Sequence, residues 1–122
     1  MKYLILMHVD PAVLEALTAD QQSQLMTGHQ DFIKSTKDSG EFLATSALAD
    51  PAQSATVRAR NGAPEVTDGP YAESKEYMGG YYLIDVESRE RAIELATQIP
   101  DASIDGLGLE VRPVMFSDGA DM

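Results

Sequence analysis

The chain has 122 residues, of which 43% are apolar, so it is long enough to bury the core of one domain. Its 20 acidic and 9 basic residues give a formal net charge of −11, and a field of that sign argues against direct nucleic-acid binding and against binding to an anionic membrane surface. The absence of cysteine excludes disulfides, a cysteine nucleophile and thiolate metal sites.

The first predicted element is a strand at residues 2–8, "KYLILMH". The apolar run before His8 is too short for a signal peptide or a membrane span, so we expect a cytoplasmic protein. Both alternating sets of side chains are apolar, which predicts a strand that is covered on both faces. Pro11 ends this strand and suits the first turn of a helix.

A long helix is predicted from "TADQ" to Gly40, after a short helical turn at residues 13–17. Thr18 and Gln21 have the spacing of a capping box, in which each side chain bonds the backbone of the other residue. The stripe that follows helical spacing comprises Leu25, His29, Phe32, Ile33 and Thr36. Residues 41–48 then predict a second strand.

A hairpin is predicted inside an insertion at about residues 53–70. The segments "ATVRA" and "PEVT" flank Asn61-Gly62, a residue pair that favours the tight turn between two strands. A further strand is expected at 79–87, and Ser88 is suited to cap a second helix that Pro100 stops. The last strand is predicted at 109–116, followed by a frayed tail at 117–122.

The order β-α-β, hairpin, β-α-β is typical of an α+β fold of the ferredoxin-like split βαβ type, with a single domain at 1–116. Two helices cover only one face of a four-stranded sheet. Tyr81 and Leu83 nevertheless alternate with Tyr82, Ile84 and Val86, so both faces of the third sheet strand are largely apolar. We therefore expect a second copy of the chain to cover the other face, forming a homodimer.

His29 is the first candidate for chemistry. Its place on the inward helix stripe fits either a core histidine that a backbone carbonyl or water satisfies, or a general acid or base that lines a pocket. Asp38 is nine residues further on, about half a revolution out of phase and roughly 13 Å along the axis. A carboxylate that orients His29 is therefore expected to come from another segment.

Motifs for metals and common cofactors are missing from the sequence. The two histidines are unrelated in spacing, and no carboxylate series, phosphate-binding glycine loop or serine hydrolase elbow occurs. We therefore expect neither a metal nor an organic cofactor.

Arg58 and Arg112 are the cations of most interest. Arg112 shares a sheet face with Glu110, so the two side chains are expected either to pair or to leave the guanidinium free to read an anion in a pocket. The turn at Asp68 explains "DGP", but the charged segment "YAESKE" after it exceeds what a turn requires.

The segment "ATVRARNGAPEVTDGPYAESKEYMGGYYLIDVES", together with "EVRPV", closely resembles the DGPF-domain family within the wider YCII-related group. The resemblance extends over nearly the whole chain, although Tyr71 stands where the family name has phenylalanine. It implies a dimeric α+β barrel and a pocket with a helix histidine and an acidic residue. The spacing of His29 to Gly40 matches that of the family histidine, and the family's acidic residue corresponds to Asp38.

Two functions are compatible with this resemblance. In the first, the protein is an enzyme acting on a small molecule by proton abstraction or elimination. His29 would move the proton and Asp68, brought over by the hairpin, would orient it. Arg58 or Arg112 would hold an anionic or phenolic substrate beside an aromatic wall of Tyr71 and Tyr81. In the second, it is a non-catalytic regulatory or ligand-binding dimer associated with an alternative sigma factor.

Overall fold

The computed structural model describes residues 1–119, so residues 120–122 of the predicted tail lie outside the described part. The helices are α1 (Pro11–Ala16), α2 (Ala19–Asp38) and α3 (Arg89–Thr97). The strands are β1 (Lys2–Val9), β2 (Phe42–Ala47), β3 (Ala55–Arg60), β4 (Ala63–Asp68), β5 (Tyr77–Asp85) and β6 (Gly108–Pro113). Short 3-10 turns occupy Pro51–Gln53 and Pro100–Ser103. These elements confirm the predicted α+β class.

Four strands form one antiparallel sheet in the order β2-β5-β1-β6, while β3 and β4 form a separate two-stranded sheet. In the hairpin, Asn61 and Gly62 both have positive φ (52° and 80°), as the tight turn between β3 and β4 requires. The hairpin is fastened to the following turn, because Thr56 donates a hydrogen bond of 2.8 Å to the Gly69 carbonyl.

The two long helices begin where the sequence predicts. Thr18 and Gln21 form the complete capping box at the start of α2, with backbone-to-side-chain distances of 3.1 and 2.8 Å. Ser88 caps α3 by accepting a hydrogen bond from the Arg91 amide. Such caps stabilise a helix by about 1 kcal/mol each because they satisfy amide groups that otherwise lack partners.

The hydrophobic core lies between one sheet face and helices α2 and α3. Ile5 and Ile84 from the sheet, together with Leu95 and Ile99, are fully buried there. Each fully buried aliphatic side chain of this kind contributes about 1.5–3 kcal/mol. Register and strand alternation direct Leu4, Leu6, Tyr81 and Leu83 to the other face, which we call the open face.

An ion pair joins Glu41, the residue before β2, to α3. The Arg91 guanidinium donates two hydrogen bonds of 2.8 Å to the Glu41 carboxylate and one of 2.7 Å to Glu94. The bond with Arg91 holds the pKa of Glu41 below its ordinary value. Within residues 1–119, no helix combines the length and the apolar character needed to cross a membrane.

Candidate active site

Helix α2 presents His29 to a pocket, with 24% of its side chain exposed. Both imidazole nitrogens have partners in other parts of the chain. Nδ1 lies 2.6 Å from the Tyr82 hydroxyl and Nε2 lies 2.8 Å from Oδ1 of Asp101. The ring is therefore held at both ends in one orientation, although it remains accessible.

Asp101 supplies the carboxylate from the 3-10 turn after α3. Pro100 occupies the first position of this turn, where its fixed φ and missing N–H are compatible with a helical start. Only 4% of Asp101 is exposed. Burying a carboxylate is costly unless it is hydrogen-bonded or paired, and the bond to His29 provides that compensation.

Tyr82 completes the chain of hydrogen bonds from the middle of β5. It is only 2% exposed, and its ring packs edge-on against Phe32 with centroids 4.8 Å apart. Burial, reinforced by the negative charge of Asp101, raises the pKa of the Tyr82 hydroxyl to about 12. Tyr82 is therefore a protonated phenol at neutral pH.

These partners define the hydrogen positions of a neutral imidazole. An ionised carboxylate only accepts, so Nε2 must carry the proton that is donated to Asp101. Nδ1 is then the acceptor, and the Tyr82 hydroxyl donates to it. If His29 becomes an imidazolium, Nδ1 donates to the Tyr82 oxygen instead, and the Tyr82 hydroxyl turns its own hydrogen toward another acceptor. The arrangement can thus accept a proton or donate one.

Close packing at Gly28 brings the two segments together. A Cβ at residue 28 would lie 2.8 Å from Cγ of Pro100, which is nearer than side-chain carbons approach one another. The missing side chain lets the 3-10 turn lie directly against α2. As a result, the next residue on each segment, His29 and Asp101, reaches hydrogen-bonding distance.

A pocket of about 380 Å³ contains these three residues in its wall. The rest of the wall is mainly apolar, with Met7, Val9, Leu14, Leu25 and Ile33 among its residues and Thr45, which is opposite Tyr82 in the strand register, as an additional polar residue. A second depression of about 420 Å³ is lined by Leu14, Leu17, Gln22, Leu25, Met26 and His29. The two spaces share Leu14, Leu25 and His29, so the pocket continues outward between α1 and α2.

The structure does not bring the predicted partner Asp68 to His29. Asp68 ends β4 with an exposed side chain, whereas Asp101 occupies the orienting position. The expectation that the hairpin delivers the carboxylate is corrected accordingly, because Asp68 is not among the residues that line the His29 pocket. Asp38 bonds Lys34 at 3.0 Å on the helix surface, as its helical phase predicts.

Arg58 and Tyr71 form a pair of their own on the hairpin side. The Arg58 guanidinium lies 4.0 Å from the centroid of the Tyr71 ring and donates to the Tyr71 carbonyl. Neither residue lines the His29 pocket. The segment after β4 instead approaches the end of β1, where Lys75 Nζ is 3.8 Å from the Asp10 carboxylate. It therefore does not form the expected wall of that pocket.

Tyr81 and Arg112 lie on the open face. They are opposite Leu6 and Leu4 in the strand register, whereas Ile5 is opposite Tyr82 on the helix-covered face. Arg112 Nε donates to Glu110 at 2.8 Å, and His8 lies 3.3 Å from the same carboxylate. The pairing alternative for Arg112 is thus the one observed, and neither side chain reaches the pocket from this face.

Sequence reasoning missed Asp101 and Tyr82 as site residues. Pro100-Asp101 carries the sequence signal of a helical start, but that signal says nothing about burial. Tyr82 was recognised only as an apolar strand residue. Across residues 1–119, no group of three histidine or carboxylate side chains is arranged to hold a metal ion.

The fold and site define an α+β protein with a small pocket built around a histidine, a buried aspartate and a tyrosine. The YCII-related domain matches residues 1–116. A protein of Rhizobium meliloti (strain 1021), described as uncharacterised, is 30% identical over 114 residues, which cover 93% of this chain and 92% of that protein. The chain belongs to the YCII-related domain family.

Proposed function

We propose that this protein is an enzyme that moves a proton on a small molecule without a metal or an organic cofactor. The observation that carries the proposal is the placement of His29, which bonds a buried carboxylate and a tyrosine hydroxyl at once while lining a pocket. An imidazole with a carboxylate on one nitrogen and a hydroxyl on the other is a common arrangement for general acid–base chemistry.

The proton leaves the substrate through Tyr82. A substrate C–H or O–H gives its proton to the Tyr82 oxygen as the tyrosine passes its own proton to Nδ1 of His29. The electron pair of the broken bond stays on the substrate, where it forms a double bond by isomerisation or by expelling a leaving group. Asp101 stabilises the resulting imidazolium, and the reverse transfer to the product or to water restores the site.

Hydrogen exchange with solvent tests this proposal without knowledge of the natural substrate. Uncharged carbonyl compounds with acidic C–H groups are incubated with the protein in deuterated water, and deuterium incorporation is followed by NMR. We expect the wild type to exchange at least one of them, and His29→Gln to lower the rate by about 10²–10⁴-fold. Equal rates for both proteins, or no exchange with any compound, would contradict the proposal.

The finer classification of the fold is also part of the proposal. The strand order and the chain order of the elements support a ferredoxin-like fold, and the segment 68–82 supports membership of the DGPF subgroup. The half-buried apolar side chains Leu4, Leu6 and Tyr81 on the open face support a homodimer of the dimeric α+β barrel type. Arg112, Glu110 and His8 lie on one side of these apolar side chains, toward the edge strand β6, and an apolar centre with polar residues at its margin is the usual composition of a protein interface.

A second candidate is a regulatory dimer associated with an alternative sigma factor. It is favoured by the exposure of the segment after β4, where Tyr71 is 69% exposed and its ring is held by Arg58. An exposed aromatic residue is a common anchor in protein interfaces. The test is co-purification with a sigma factor, which Glu73→Lys combined with Glu76→Lys is expected to abolish. A complex that survives both substitutions would count against this role.

A further inference from the structure

The wall of the His29 pocket is mainly apolar, which is unlike a binding site for a charged metabolite. Met7, Val9 and Leu14 contribute hydrocarbon groups from β1 and α1, while Leu25 and Ile33 do so from α2. A volume of about 380 Å³ lies near the lower end of the range of about 300–1,000 Å³ that ligand pockets span. The inner space therefore suits a small apolar body.

Charge at the pocket opposes an anion. Among the residues that line it in the described part of the chain, none is lysine or arginine, and Asp101 contributes a negative charge. The two arginines considered from the sequence are engaged elsewhere, with Tyr71 and with Glu110. The net charge of −11 adds a long-range repulsion of the same sign.

The polar end of the pocket selects for a hydrogen-bond donor. While His29 is neutral, the only hydroxyl proton of Tyr82 is donated to Nδ1, so the Tyr82 oxygen is left with acceptor capacity. A ligand group that approaches it must bring its own N–H, O–H or acidic C–H. A carboxylate or a phosphate dianion has no such hydrogen and would meet Asp101 behind the imidazole.

The outer depression extends the apolar path to the surface. Leu17 and Met26 lie there, and 66% of Met26 is exposed. Helix α1, which forms one side of this path, has no buried residue. A ligand longer than the inner pocket can therefore extend its apolar part between α1 and α2.

We propose that the pocket takes an uncharged, mainly aliphatic or otherwise apolar molecule that carries one hydrogen-bond-donating head group. The head group lies at the Tyr82 oxygen and the apolar body extends past Leu25 between α1 and α2. The inference rests on the proposed function, because it identifies the pocket around His29 as the substrate site. It also excludes the anionic substrates that Arg58 or Arg112 would have held.

Two probes of equal chain length test the inference by binding alone. Octanamide is uncharged and has an N–H donor, whereas octanoate is an anion at neutral pH and has no donor. Titration of the wild-type protein by calorimetry and by amide chemical shifts is expected to show octanamide bound at the pocket and octanoate bound at least about tenfold more weakly. Equal or tighter binding of octanoate, or no binding of octanamide, would overturn the inference.

A pair of helix variants locates the bound probe. Leu25→Lys puts a cation and its hydration into the path between the two spaces, so octanamide affinity should fall by about tenfold or more. Gln24→Lys adds the same charge at an exposed neighbouring position and should leave the affinity unchanged. Equal loss in both variants, or in neither, would show that the probe binds elsewhere and would overturn the inference.

The binding experiment and the deuterium-exchange experiment can contradict the two proposals independently of each other. If octanamide binds as expected but no compound exchanges deuterium, the ligand class stands and the enzymatic proposal falls. If anionic compounds exchange in a His29-dependent manner while octanamide does not bind, the enzymatic proposal stands and the ligand class is wrong.

Discussion

Gly28 lies so close to the ring of Pro100 that an added Cβ would be 2.8 Å from its Cγ. The contact fixes the distance between α2 and the 3-10 turn at the point where each segment continues into a site residue. The pocket therefore depends on a residue that has no side chain and takes no part in the chemistry.

Gly28→Ala should disturb the site by separating the two segments. The proline ring cannot move aside like a flexible side chain, so overpacking is expected to cost about 1–3 kcal/mol, partly offset by about 1 kcal/mol from the better helix propensity of alanine. NMR of the imidazole N–H protons should show a weakened His29–Asp101 hydrogen bond. Gly108→Ala is the matched control, because its added Cβ meets no atom within 4 Å. An unchanged imidazole signal in Gly28→Ala would contradict this account.

Asp101→Asn should impair proton transfer more than it impairs folding. The amide keeps the shape of the carboxylate but can no longer stabilise the imidazolium, and it can reverse the tautomer by donating to Nε2. We expect the exchange rate to fall by about 10²-fold or more, with a loss of about 1–3 kcal/mol in the free energy of unfolding. Asp38→Asn and Asp68→Asn, measured in the same assay, should retain full activity. Loss of activity in Asp68→Asn would restore the hairpin carboxylate to the site.

The stability of the protein should fall at alkaline pH because of Tyr82. Its pKa is raised from 10.0 to about 12 in the folded protein, so its contribution is complete below pH 10 and is lost as the pH rises through 12. The free energy of unfolding should decrease by about 3 kcal/mol across that window. Tyr82→Phe keeps the contact with Phe32 and should lack this component. Identical pH profiles from denaturant titrations of the two proteins would refute the assignment.

Acid should weaken the tie between Glu41 and Arg91. The pKa of Glu41 is lowered from 4.5 in the folded protein, so its stabilisation is present above pH 4.5 and is lost as the pH falls through the lower folded value. Glu41→Gln should reduce the free energy of unfolding at pH 7 by about 1.5–3 kcal/mol, since two charge-assisted hydrogen bonds are weakened. The difference between the two proteins should shrink below pH 4.5, and a constant difference would indicate another cause.

The open face should control the oligomeric state. Leu6→Glu places a charge at the centre of this face, and the proposed homodimer should dissociate to monomers when mass is measured by light scattering at micromolar concentration. Gln30→Glu adds the same charge at an exposed position on α2 and should leave the dimer intact. A wild-type protein that is already monomeric at this concentration would remove the basis for the dimer.

The elements were predictable from sequence because their signals are local. The capping box at Thr18, the Asn61-Gly62 turn and the N-cap at Ser88 each depend on residues within a few positions of one another. The separation of Asp38 from His29 followed in the same way from helix geometry. Such features can be predicted correctly because they do not depend on contacts with the rest of the chain.

The site was predictable only in part. His29 stood out as a histidine on an apolar stripe, but its partners are 72 and 53 residues away in the chain. Asp101 reaches it because Gly28 leaves room for Pro100. This contact joins two segments that are far apart in the chain, and neither segment alone carries a signal that predicts it. The choice of Asp68 failed for the same reason, since the hairpin packs as a separate sheet.

The adjacent residues Tyr81 and Tyr82 serve opposite sides of the sheet. A shift of β5 by one residue would exchange them, placing Tyr81 beside His29 and Tyr82 on the open face. The irregularity in the β1–β5 register, between Met7 and His8, lies just before these two tyrosines along β5. The His29 pocket and the open face are therefore only one peptide unit apart along β5.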